Sequence, residues 1–259
     1  MTTWNRLFTV ALILLAALAI LAIWPATRNY GHARAAAPDN ALLLTLDPVA
    51  PFFKGAGGPA PQTTDFLASD PSGWTNMMPR NSFKGWSRVP IPPDKPLDPV
   101  SQWSIDKEHR TIVCEGNHGH EWLRYDHEYT NFLLHVEWRF RKLEGGKGYN
   151  SGVFVRNDLT GRVWHQAQVG EKTYLFGQTL MQGKLSQIIN TPSPAVNPLH
   201  PIGEWNTYEI RCDGPKITLW VNGSMASEFA VPEVPKGYWG LEAEGYHIEF
   251  RNIQLKNET

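Results

Sequence analysis

Only two cysteines, Cys114 and Cys212, occur in 259 residues, and none lies in the first 40, which excludes a lipid-modified N-terminal cysteine. Both sit in strand-like runs, where either one bridge in an oxidising compartment or two buried thiols would be consistent with their setting. Lysine and arginine never form a run and the formal net charge is -1. The basic footprint that exchanges for phosphate counterions is therefore missing, and nucleic acid is excluded as a partner. A serine-centred nucleophile elbow, a glycine-rich phosphate loop and a dinucleotide fingerprint are also absent, which removes the usual sequence support for phosphate and hydride chemistry. No helical period of useful length follows Ala41.

What is present points to strands. Apolar residues make up 42% of the chain, and 11 tryptophans accompany 22 glycines and 20 prolines. Aromatic residues favour pleated surfaces, while glycine and proline punctuate them. Strand-like alternation predicts Thr111 to Glu115, Trp122 to Arg124, Asn131 to Arg141, Gly152 to Arg156, Val163 to Val169, Thr207 to Cys212, Lys216 to Val221, Gly237 to Ala243 and His247 to Leu255. Asp213-Gly-Pro-Lys216 and Asn222-Gly223 have the chemistry of hairpin turns. The expected fold class is all-β, a sandwich or jelly roll.

The N-terminal part reads differently. Residues 7–24 are apolar and are followed by Pro25 and the small-residue stretch Ala33-Arg-Ala-Ala-Ala37, the pattern of a cleaved secretory signal. An uncleaved membrane tether through residues 7–24 is the competing reading, since 18 residues just span a bilayer. The expected organisation is a signal or anchor over 1–37, a Pro/Gly-rich lead-in over 38–73 and one β domain over 74–259. An exported protein, periplasmic or extracellular and either free or held at the inner membrane, is the corresponding expectation.

Parity within the strands picks out candidate functional faces. In Asn131 to Phe140, Phe132, Leu134, Val136, Trp138 and Phe140 share one side, and His135, Glu137 and Arg139 leave the sheet together on the other. A solvated face with an ion pair is the plainer reading. Trp164, Gln166 and Gln168 share a side of Val163 to Val169, with His165 on the opposite one. An indole beside two amides suits a sugar, because the ring stacks on C–H groups and each amide offers a donor and an acceptor to hydroxyls. Glu242 and Glu244 pair on one face, where each carboxylate raises the other's pKa and makes acid and base chemistry accessible near neutral pH. Asn150, Phe154 and Arg156 also share parity, and Arg156 could bind a carboxylate or a sugar hydroxyl. The cluster Asn117-His-Gly-His-Glu-Trp122 has two histidines and a carboxylate but names too few converging ligands for a zinc site. No metal or other cofactor is expected.

Asn81-Ser-Phe-Lys-Gly-Trp86, Thr111-Ile-Val-Cys-Glu-Gly116, Trp122-Leu-Arg124, Tyr129-Thr-Asn-Phe132, Glu137-Trp-Arg139, Asn150-Ser-Gly-Val-Phe-Val-Arg156, Gly203-Glu-Trp-Asn206, Trp220-Val-Asn-Gly223 and Phe250-Arg-Asn-Ile253 follow one another in the order of a known family. Over roughly residues 74 to 257 the chain resembles the 3-keto-disaccharide hydrolases. That resemblance implies a concanavalin A-like jelly roll of two antiparallel sheets, in exported bacterial proteins, acting on glycosides whose sugar carries a 3-keto group by hydrolysis or elimination. The chain departs from the family pattern at two places. Gln166 stands where the family pattern usually has Glu, and Glu242 stands where it commonly has Gln.

The implied substrate suggests a mechanism. A C3 ketone acidifies the C2 proton, so a base can remove it while a donor holds the enolate oxygen. Glu137 or Glu242 is the expected base, with His165 as a substitute, and Arg139 or Arg156 the expected enolate partner. Trp164, Gln166, Gln168, Asn150, Glu244 and Trp122 are the expected sugar contacts. A non-catalytic carbohydrate-binding module is the rival reading, and a sandwich serving only protein contacts is a third.

Overall fold

The computed structural model describes residues 65–181, 184–230 and 235–258. They lie in one compact unit, Ala56–Thr259. The signal, the tether and most of the lead-in fall outside the described residues. Among those described, no helix is long and apolar enough to cross a membrane.

Fifteen strands and one short helix, α1 (Phe66–Ser69), make up the described unit. One sheet contains β1 (Trp74–Asn76), β3 (Trp103–Asp106), β4 (Thr111–Cys114), β6 (Phe132–Phe140), β11 (Asn206–Asp213), β12 (Lys216–Val221), β13 (Ser224–Ala230) and β15 (Ile248–Asn257). The other contains β2 (Trp86–Pro90), β5 (Glu121–Tyr125), β7 (Asn150–Asn157), β8 (Val163–Gly170), β9 (Leu175–Met181), β10 (Lys184–Asn190) and β14 (Tyr238–Ala243). The first runs β13-β12-β11-β6-β15-β4-β3, with β1 paired to β15, and the second runs β10-β9-β8-β7-β14-β5-β2. Strand pairs in both are antiparallel, as a jelly roll requires.

The two sheets press their apolar faces together. Phe132, Leu134, Val136, Trp138 and Phe140 of β6 meet Val153, Val155, Ala167, Val169, Leu241 and Ala243 in one buried core. Each large apolar side chain so buried contributes roughly 1.5–3 kcal/mol. The hairpins join strands where expected: Asp213 faces Lys216, and Val221 faces Ser224 across Asn222 and Gly223. Asn222 and Gly223 both take positive φ, 48° and 79°, the geometry that lets a two-residue turn match the strand twist.

Six strands beyond the nine expected are short, lie near sheet edges or lack clean alternation: β1, β2, β3, β9, β10 and β13. The end of the lead-in is also structured. Backbone N–H groups of Phe66 and Leu67 donate to Glu209 Oε1 at 2.9 and 3.2 Å, and Phe66 sets its ring edge-on to Trp220. Cys114 and Cys212 are buried free thiols on β4 and β11. Two strands intervene, and Cys114 aligns through Ile248 with Phe140 while Cys212 pairs with Phe132 at the opposite end of β6, so the two cannot bridge.

Candidate active site

The second sheet's face away from the main core carries the polar group of interest. Glu242 on β14 pairs in register with Trp122 on β5, and Gln166 and Gln168 on β8 flank Gly152 on β7. One end of this face is filled by Val89, Trp122 and Phe154, with Ile91, Trp164 and Tyr238 packed against them. At the other end Glu242, only 3% exposed, accepts from Gln166 Nε2 at 2.8 Å through Oε2 and meets His120 Nε2 at 2.8 Å through Oε1. Gln166 Nε2 also lies 3.3 Å from Gln168 Oε1, and Gln168 Nε2 donates to Asn150 Oδ1 at 2.6 Å. The result is one line of linked groups: His120, Glu242, Gln166, Gln168 and Asn150.

Glycine makes the line continuous. A Cβ at Gly152 would stand 2.4 Å from Gln166 Nε2. Because β7 has no side chain there, Gln166 reaches across it from β8 to β14. Ser151, pointing the other way, donates its Oγ to the Glu242 carbonyl at 2.8 Å and holds β14 in place.

Electrostatics separate the two carboxylates. Burial, and then the Glu242 charge, push the half-buried Glu244 carboxyl up to about 7, with His120 opposing them. Burial alone would lower His120, but its hydrogen bond to Glu242 and the charges of Glu242 and Glu244 raise it. The group therefore combines an imidazole whose protonated form is favoured by its acidic neighbours with a carboxyl poised between its two forms near neutral pH. Donor atoms of His120, Glu242 and Glu244 all lie within 4.8 Å of one another. An imidazole nitrogen and two carboxylate oxygens are a donor set that could hold a divalent cation.

Several expected residues lie elsewhere. Glu137 and Arg139 are on β6 of the other sheet and point out of the sandwich, so they do not converge with Glu242. Burial would raise the Glu137 carboxyl, but hydrogen bonds from His135, Asn252 and Arg251 hold it down at about 2. A carboxylate so heavily paired is a poor proton acceptor. Arg139 pairs with Glu249 at 2.8 Å and lies over Trp205. Arg156 is fully buried and donates to Thr130 O, Gly214 O and Asn131 Oδ1. Its parity fails at a bulge: Tyr238 pairs with Asn157 but Gly240 with Phe154, and Arg156 takes φ 50°.

His165 is 2% exposed and its Nδ1 lies 3.1 Å from the Arg156 carbonyl, on the side opposite Gln166. Trp122 is fully buried, packed edge-on against Phe154, and forms floor instead of contact surface. Trp164 is half-buried beside Phe154. The turn expected as a histidine cluster splits three ways. His118 pairs with Asp98 at 3.3 Å, buried Glu121 accepts from Trp103 Nε1 and Arg88, and His120 alone joins the site. His120 shares parity with Trp122, a usable signal, but its partner Glu242 lies 122 residues away.

The family profile that this chain matches places it among carbohydrate-active, hydrolase-like domains. The chain is a member of the 3-keto-alpha-glucoside-1,2-lyase-like domain family, whose profile matches residues 68–256. No curated protein matches the chain significantly. A "putative glycosyl hydrolase" from Parabacteroides distasonis ATCC 8503 is 16% identical with a TM-score of 0.52, covering 76% of this chain and 100% of that one. A Bacillus subtilis protein of unknown function with a galectin-like fold is 11% identical with a TM-score of 0.50, covering 71% and 94%. Both likenesses speak to the fold alone.

Proposed function

We propose that the chain cleaves 3-keto-glycosides by elimination across C1 and C2, on the face built around Glu242. The observation that carries this reading is a buried carboxylate held by an imidazole on one oxygen and an amide on the other, beside a second carboxyl whose oxygen lies within 4.8 Å of both the imidazole and the first carboxylate. Both Glu242 oxygens are engaged, so the base is assigned to Glu244, the more exposed of the two. Glu244 takes the C2 proton, whose electron pair becomes the C1=C2 bond while the C1–O bond breaks. The departing oxygen takes a proton from His120, whose protonated form the hydrogen bond to Glu242 favours. Gln168 and Asn150 orient ring hydroxyls, and Trp164 offers an aromatic surface at the other end of the same face. We further propose that this chemistry takes place outside the cytoplasm, on the strength of the apolar residues 7–24 and the Ala33–Ala37 pattern.

The amide pair and Trp164 favour a second reading, a carbohydrate-binding module with no turnover. Incubating the purified chain with a 3-keto-disaccharide and its unoxidised parent separates the two. Release of free sugar from the keto compound alone supports the lyase; binding without release supports the module. Repeating the reaction with a chelator tells whether His120, Glu242 and Glu244 work as a ligand set or as an acid–base group.

A further inference from the structure

The proline-rich segment after β2 walls a cleft of about 380 Å³, lined by Ile91, Lys95, Leu97, Asp98, His118 and His120 among others. That volume falls in the range of small-molecule sites, about 300–1,000 Å³. His120 belongs to both the cleft and the polar face, since its Nε2 contacts Glu242 while its side chain remains 36% exposed. The cleft therefore opens beside the Glu242 group, on the side opposite Gln166 and Gln168.

Its walls are rigid for physical reasons. Arg88 binds the buried Glu121 carboxylate through Nε and Nη2 and also donates Nη2 to the Asp98 carbonyl at 3.0 Å. Buried Gln102 donates to the Gly119 carbonyl at 3.0 Å and accepts from His118 N at 3.3 Å. Ile91 N donates to the His120 carbonyl at 3.0 Å. Fixed backbone carries side chains of mixed character: the exposed Lys95 ammonium and Leu97, the half-buried Asp98–His118 pair and half-buried Ile91. A pyranose has the same mixture, hydroxyls around its rim and C–H groups on its faces.

We propose that this cleft is the subsite for the departing half of the substrate and that it selects a second sugar ring, with Lys95 and Asp98 reading its hydroxyls. The inference rests on the elimination reading above. It places the leaving oxygen beside His120, the group assigned to protonate it, and the keto sugar over Gln166 and Gln168. Bond changes are those already described; the cleft adds binding and selection.

The test compares the full chain with Lys95→Ala, Asp98→Ala and the cleft-filling Leu97→Trp on two substrates, a 3-keto-disaccharide and the methyl 3-keto-glucoside, whose departing group is too small to use the cleft. For the disaccharide, kcat/KM should fall roughly tenfold in each variant, chiefly through KM, from a lost hydrogen bond to a charged group at Lys95 or Asp98 and from blocked space at Leu97. For the methyl glycoside it should stay unchanged. Equal losses on both substrates, or none on the disaccharide, would overturn the subsite while leaving the lyase intact. An unmodified chain that releases nothing from either substrate would overturn the elimination reading and the subsite with it.

Discussion

Gln166 donates its amide to Glu242 at 2.8 Å across Gly152, joining β8 to β14 over a strand that has no side chain in the way. An amide and a carboxylate are nearly the same shape, and here they occupy adjoining places on one face. Gln166 and Glu242, the two positions at which the resemblance leads one to expect other residues, are thus hydrogen-bond partners.

Gly152→Ala should break this pair, because the new Cβ would fall 2.4 Å from Gln166 Nε2. Losing a hydrogen bond to a charged group should cost roughly tenfold in kcat/KM on a 3-keto-glycoside. Unaltered kinetics in this variant would remove Gln166 from the site.

Exchanging the pair tests whether the place or the chemistry matters. Glu242→Gln should lower turnover by about two orders of magnitude, since His120 loses the carboxylate that favours its protonated form. Adding Gln166→Glu restores one carboxylate and one amide and should recover part of that loss. A double-mutant cycle on kcat/KM measures the coupling, and strict additivity would argue against a shared role.

Glu244 predicts a pH dependence. With the carboxyl raised to about 7, the ionised base accumulates as pH climbs toward and past 7, so the rate should rise through that range. Stability runs the opposite way. The fold holds this proton more tightly than the unfolded chain, whose ordinary value is 4.5, so ionisation costs stability increasingly between about 4.5 and 7. Glu244→Gln should therefore flatten the rate profile and raise Tm at pH 8 relative to the unmodified chain, with little change at pH 4.

The opposite sheet should control stability alone. His135, lifted to about 9 by Glu137 and Glu209 against its burial, contributes stability that is full below its ordinary 6.5 and is lost as pH rises to about 9. Glu137, held at about 2, contributes stability that is full above its ordinary 4.5 and is lost as pH falls toward 2. Thermal melts should be most favourable between those limits. Glu137→Gln should lower Tm yet leave turnover of a 3-keto-glycoside intact; a collapse of turnover in a folded variant would return Glu137 to the site.

Alternation of side chains along β6, β8 and β14 made the core faces legible in sequence, because burial on one side of a strand imposes a period of two. Asn222-Gly223 and the Asp213–Lys216 turn were legible for a similarly local reason, backbone conformations that few residues adopt. The pairing of Glu242 with Glu244, and the shared side of Gln166 and Gln168, also follow from parity alone. Parity says which side of its own strand a residue takes, and nothing about which sheet the strand joins. Glu137 and Glu242 each lie on an outward face, but the topology puts them on opposite sides of the sandwich. A single bulge turned Arg156 out of register, and a strand without a side chain at Gly152 brought Gln166 to Glu242. Those outcomes depend on strand order and register, set by contacts between residues far apart in the chain, and so only the tertiary structure decided them.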